Sequence, residues 1–342
     1  MKFQRVISSS QATLPVVCAI ALALWLILPS QHNPQEFLTP DYGLWQYLPS
    51  FFHASQYSLP LGVVCAAIAV YMMVELKNRN LLLRVNSYML SSTLALLLAV
   101  ATPLHHIQPS SILMLFTLYA YFPLFASYQI AHPYLSYSIF LPLSLASLFF
   151  PKLLLLVPIY WCFQIYLRAF TFRSFVASLI AILLPYWFYA GIAVSTDTFP
   201  QFVTHLQSII STPDLLAIPF SPTDLSHVTI HDFISSSLPI LLLTIIMLII
   251  GIIDFLFKKF LDKTRTRSLY NVVLWHAISL IFFILLYHHH TTTLLPLLIL
   301  DTSILYGHFF TLTHTRFSHI INIIIFILTL LLLVMQFTSA MW

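Results

Sequence analysis

Asp301 stands in the middle of the apolar run Leu294-Leu-Pro-Leu-Leu-Ile-Leu-Asp301-Thr-Ser-Ile-Leu-Tyr-Gly307. An acid placed inside such a run is costly to bury and is a functional candidate by default, able to relay a proton or to pair with a polar residue such as His276 of the preceding run. A second candidate is the stretch after the first apolar run, where Glu36 and Asp41 sit among Tyr42, Trp45, Tyr47, Phe51 and Phe52. Aromatic rings settle at the headgroup level, so these carboxylates are expected near the bilayer surface, as a general base toward a hydroxyl or a holder of a divalent cation. Asp224, His227 and His231 fall at i, i+3 and i+7, one face of a helix, and make a three-ligand set for zinc or iron. His105-His106 and His288-His289-His290 close two other runs, and with Lys152 they supply donors for a phosphate oxygen. Solvated loops, a polar loop helix and interfacial polar caps account for these groups better than chemistry does, and a protonated, hydrogen-bonded carboxyl accounts for Asp301 equally well.

The elements that must position these groups are membrane spans. Sixty per cent of the 342 residues are apolar and 7% are charged, against about 25% charged in an ordinary soluble domain. The fold class is therefore all-α, a polytopic transmembrane helical bundle forming a single integral-membrane domain over 1–342. Each crossing needs roughly 20 apolar residues. Runs near 14–28, 59–76, 87–103, 111–129, 136–150, 152–168, 175–195, 238–257, 271–287, 291–307 and 319–337 give about eleven spans, the first read as uncleaved because Pro29-Ser30-Gln31 follows it. Pro133, Pro142, Pro151 and Pro158 interrupt the fourth to sixth, where a re-entrant pair is an alternative.

Eleven spans from an inside N-terminus put the C-terminus outside. They leave Lys2, Arg5, Lys77, Arg79, Arg84, Arg168, Arg173, Lys258, Lys259, Lys263, Arg265, Arg267 and Arg316 inside, every one of the 14 basic residues except Lys152. Glu75 and Asp254 then balance basic residues at the inner ends. The outer face collects Glu36, Asp41, Asp197, Asp214, Asp224 and Asp232 and most of the histidines. Glycine occurs only five times, so packing is expected to rest on Ala, Ser, Thr and interlocked Leu, Ile and Phe. Cys18, Cys65 and Cys162 all lie in apolar runs and read as packing residues. Phosphate-loop, dinucleotide-turn, His-Glu-x-x-His and Gly-x-Ser-x-Gly patterns are absent. Nucleotide-driven chemistry is excluded on that basis, and the basic stretch 258–267 reads as orientation and lipid contact, not nucleic-acid binding.

Tyr166-Leu-Arg168-Ala-Phe-Thr-Phe-Arg173-Ser, with Leu184-Pro-Tyr-Trp187, resembles the centre of a family of bacterial polytopic inner-membrane proteins of unknown function. Leu76-Lys-Asn-Arg-Asn80 followed by Arg84-Val-Asn-Ser-Tyr88 is similar to that family's loop between spans two and three. The resemblance implies a Gram-negative inner membrane. The long loop after span one with Asp41-Tyr42 is similar in layout to membrane glycosyltransferases that use polyprenyl-phosphate sugars. That likeness implies an outer-face transferase acting on a polyprenyl-linked substrate, with Asp41, then Glu36, as base or metal holder and His105, His106 and Lys152 toward the phosphate. A non-enzymatic envelope scaffold and a transporter using Asp301 are the alternatives, and the lipid bilayer is a partner in all three.

Overall fold

The computed structural model describes residues 10, 12–28, 43–45, 55–85, 87–209, 237–313 and 315–339. Glu36, Asp41, Asp224, His227 and His231 lie outside them. Among the described residues there is no β-strand. Twelve α-helices are α1 (Thr13–Ile27), α2 (Ser55–Asn80), α3 (Met89–Val100), α4 (Pro109–Ala126), α5 (Pro133–Ser147), α6 (Val157–Tyr166), α7 (Phe172–Ser195), α8 (Phe199–Ile209), α9 (Leu238–Lys258), α10 (Thr264–Leu286), α11 (Thr291–Leu312) and α12 (Arg316–Ser339). Short 3-10 turns cover 102–104, 151–156, 259–261 and 288–290. Each of the eleven apolar runs falls on a helical element. By length and apolar composition seven helices are able to cross a membrane: α2, α4, α7, α9 with the turn that follows it, α10, α11 and α12.

Local chemistry sets the helix starts. Thr171 caps α7 by accepting from the Ser174 amide at 3.2 Å. His132 Nδ1 accepts from the Tyr134 amide at the head of α5, with Pro133 in the first turn. Pro142, expected to break its run, lies inside α5, and Pro123, Pro185 and Pro296 are likewise inside helices. Pro151 and Pro158 instead start new turns, so the sixth run is a 3-10 segment followed by the short α6. Neighbouring side chains take up backbone groups near the prolines, as where Ser144 of α5 donates to the Ile182 carbonyl one turn before Pro185.

The chain divides into two compact units. Unit one takes 1–32, 59–106 and 213–342; unit two takes 33–58 and 107–212. In unit one α11 packs against α3, α9 and α10, and α3 packs against α1. Nearly every side chain of α11 is buried, including Asp301, Thr302, Ser303, His308 and Thr311, whereas the more apolar α12 leaves most of its length exposed. That ordering suits lipid as the surrounding solvent: apolar side chains face outward at no cost and polar ones are drawn to the interior. Gly307 lets α11 approach α3, since a Cβ there would stand 2.9 Å from Leu90 Cα. Few as they are, glycines are used where helices cross closely.

In unit two α5 lies between α4 and α7. The α8 helix, which the sequence reads as loop, packs on the 151–156 turn and on α7. It turns His205 and Ser208 inward while leaving Phe199, Val203 and Leu206 partly exposed. A short helix with two such faces and no charge settles at an interface without crossing it.

Candidate functional site

In unit one, α10 and α11 run antiparallel from the 288–290 turn. This brings His276 Nδ1 to 2.7 Å from Asp301 Oδ2, with both side chains wholly buried. One proton occupies that line, on the imidazole or on the carboxyl, and the contact is satisfied either way. An imidazole-carboxylate pair in a dry bundle is stable only as a pair: removing one partner leaves the other desolvated. Chemically it can hold a proton and pass it on.

Further along the same helices lies a second cluster, at the end of unit one where its basic segments meet. Asp262, in the link between α9 and α10, receives Arg84 Nε at 2.8 Å on one oxygen and His308 Nε2 at 3.2 Å on the other. Burial raises the Asp262 carboxyl, but the His308 and Arg84 contacts outweigh it and hold the group below the usual carboxylate range. The Tyr270 ring of α10 lies 4.5 Å from the His308 ring, edge to face, and Phe255 of α9 adds a second edge contact. Nearby, Lys258 donates to Asp254 and to Thr313, and Arg265 reaches Asn80 at 3.5 Å. Segments 77–85, 254–267 and 308–313 are thus tied together at one end of the unit.

The histidines placed by sequence at a phosphate are packed elsewhere. His105 is fully buried, stacked on Trp25 at 4.6 Å, and its Nε2–H donates to the Ala99 carbonyl at 2.9 Å. Trp25 Nε1 in turn donates to the His105 carbonyl at 3.1 Å, so the residue pins α1 to the end of α3. Burial pushes its imidazole down to about 4, the Ala99 bond opposing and His106 adding to the fall. His106 is buried too, and so is Lys152 in the 151–156 turn. A phosphate in water would reach none of the three without repacking. Of the 288–290 turn, His290 is buried and His289 exposed. Among the described residues no three His, Cys, Asp or Glu gather as a metal site.

Sequence reasoning singled out Asp301 and named His276 as its partner in waiting. It missed Asp262, His308 and Arg84. The available signal was the seven-residue step from Asp301 to His308, which puts both on one face of α11. Asp262 gave none, being surrounded by five basic residues in 258–267.

Unit two contains a different feature. A groove of about 540 Å³ is lined by Leu44, Leu145, Leu148, Pro185, Phe188 and Tyr189 among others, with Thr196, Thr198 and Gln201 also on its wall. The segment entering it is fixed by Leu44, whose amide donates to the Leu148 carbonyl at 2.8 Å. Gly43 there is pressed against His205, since a Cβ would stand 2.5 Å from its ring.

No family model, curated protein or solved structure matches the chain. The fold defines the class: among the described residues the protein is helical without strands, with seven helices able by length and composition to cross a membrane and broad apolar surfaces suited to lipid.

Proposed function

We propose that the chain is a multi-pass carrier of the bacterial inner membrane in which unit one couples passage of a small or lipidic molecule to a proton held by His276 and Asp301. The observation that carries this reading is the 2.7 Å imidazole-carboxylate contact on two apolar helices, with both groups fully buried. A protein that needed only packing there would do as well or better with apolar side chains. Proton-handling acids and histidines facing the bundle interior are the common exception to an apolar membrane core. In this reading the Arg84, Asp262 and Arg265 end of unit one faces the cytoplasm, which the concentration of basic residues there supports.

The test is proton flux into vesicles holding the reconstituted protein, driven by an imposed pH gradient and read with an entrapped dye. The wild type is expected to dissipate the gradient, and Asp301→Asn to lose at least tenfold in rate while remaining inserted and monodisperse. Wild-type flux in that variant would end the reading.

The apolar groove of unit two favours a second reading, an outer-face transferase for a polyprenyl-linked substrate. Its size and lining suit a hydrocarbon chain, and Asp41 precedes Gly43 by two residues in the sequence. In that case Asp41→Asn abolishes sugar transfer from a polyprenyl-phosphate donor and leaves proton flux untouched.

A further inference from the structure

We propose that Asp262 and His308 form a second proton station, through which the proton held by His276 and Asp301 exchanges with water at the basic end of unit one. The inference rests on the carrier reading and names the exit for its proton. Asp301 and His308 stand seven residues apart on α11, two turns along one face and about 10 Å along the axis. Antiparallel α10 keeps the same step: His276 meets Asp301, and Tyr270, six residues earlier, meets His308. Helix α11 thus carries a carboxylate and an imidazole in line, Asp301 set against His276 of α10 and His308 set against Asp262 of the α9–α10 link.

The His308 ring is arranged for relay. Its Nε2 faces the Asp262 carboxylate at 3.2 Å, while Nδ1 is buried with no hydrogen-bond partner among the described residues. A proton arriving at Nδ1 forms an N–H bond there, the Nε2–H bond breaks as an O–H bond forms at Asp262 Oδ2, and the ring then returns by exchanging tautomers; no bond between heavy atoms changes. Asp262 in turn contacts Arg84, whose side chain is 42% exposed and opens the station to solvent. The other charged or titratable groups around this end are Tyr270 and Arg265 of α10, Asp254 and Lys258 of α9, and Lys77 of α2, the last donating to the Ser87 carbonyl. No α3 residue in Met89–Val100 is titratable.

Between the stations the helices offer Val273, Leu274, Ile304 and Leu305, all buried. These four cannot carry a proton; the buried hydroxyls of Thr302 and Ser303 stand on the same stretch of α11, and the rest of the roughly 10 Å step requires a transient water chain.

The same vesicle assay tests the proposal on the full chain. Asp262→Asn and His308→Gln are each expected to slow flux at least tenfold and to flatten its pH profile, while Asp262→Glu keeps at least a third of the rate with a displaced profile. A role in packing alone would lower thermal stability without moving the pH profile of the protein that remains folded. If Asp262→Asn does not fold, Asp262→Glu decides: a displaced profile supports the station, an unchanged one contradicts it. Wild-type rate and profile in Asp262→Asn and His308→Gln, alongside an inactive Asp301→Asn, overturn the second station and leave the carrier reading standing. Wild-type flux in Asp301→Asn removes both.

Discussion

Unit one and unit two each bury histidine, and only unit one sets any of its buried imidazoles against a carboxylate among the described residues. In unit one His276 and His308 are each set against a carboxylate, at 2.7 and 3.2 Å. In unit two His205 is buried beside Tyr186 and Tyr189, and neither ring nitrogen has a hydrogen-bond partner among the described residues. The only acid among the described residues of unit two is Asp197. Burial alone pushes the His205 imidazole down to about 4. The same side chain is thus given a carboxylate at two positions of unit one and left without one at His205 of unit two, as it is at His105 of unit one. Burial does not make a proton site; a buried counter-group does.

The largest expected effect breaks the pairing in unit one. His276→Phe or Asp301→Leu alone should cost about 3 to 5 kcal/mol, because each breaks a fully buried imidazole-carboxylate contact. The combined variant should recover most of that loss. Chemical unfolding of the four proteins in lipid or detergent gives the coupling directly. Additive losses would show that the two side chains do not act as a pair.

The next effect sharpens the contrast from the side of unit two. His205 has a folded value near 4 and an ordinary unfolded value near 6.5. As pH falls between them the unfolded chain gains a proton that the folded one refuses, so stability falls with pH across that window. The full loss comes to about 3 kcal/mol. The protection of α8 amides, taken relative to their intrinsic exchange rate at each pH, should fall from pH 6.5 toward 4, and His205→Phe should remove that dependence. Protection independent of pH would mean that the ring has a partner after all.

The smallest of the three concerns Asp262. Its carboxyl is held low, so the stabilisation is present above the ordinary carboxylate value and is lost only as pH drops through the lower, folded one. Asp262→Asn should cost about 2 kcal/mol at neutral pH, typical of hydrogen bonds to charged groups. That cost should vanish in strong acid. Thermal melts of both proteins across pH settle it; a constant difference down to the most acid condition would contradict the assignment.

Which parts were legible in the sequence follows from what each signal measures. Apolar runs mark long helices well, and their placement along the chain agrees with the helical elements within a few residues. The α8 helix escaped because a search for crossings ignores an eleven-residue helix carrying Thr, Gln and His, although Phe202 and Leu206 hinted at a repeating face. Pro142 read as a break, yet it lies inside α5, since in a bundle neighbouring groups absorb the missing bond and the helix continues. Glu75 with Arg79 and Asp254 with Lys258 pair as one-turn spacing implies. Asp301 stood out because an acid among leucines is costly to bury, whereas Asp262 was hidden among lysines and arginines that seemed to explain it. His105 was misplaced for a related cause: its position beside a span end says interface, and only the tertiary stack with Trp25 shows that it faces inward.

The most direct test of the central claim is infrared spectroscopy of the reconstituted protein during hydrogen-deuterium exchange and pH change. A carboxyl or carboxylate band that disappears in Asp301→Asn, and shifts in His276→Phe, should in the wild type respond to bulk pH despite complete burial. An Asp301 band that responds neither to deuterium nor to pH would show that the pair is a fixed internal contact and not a proton site.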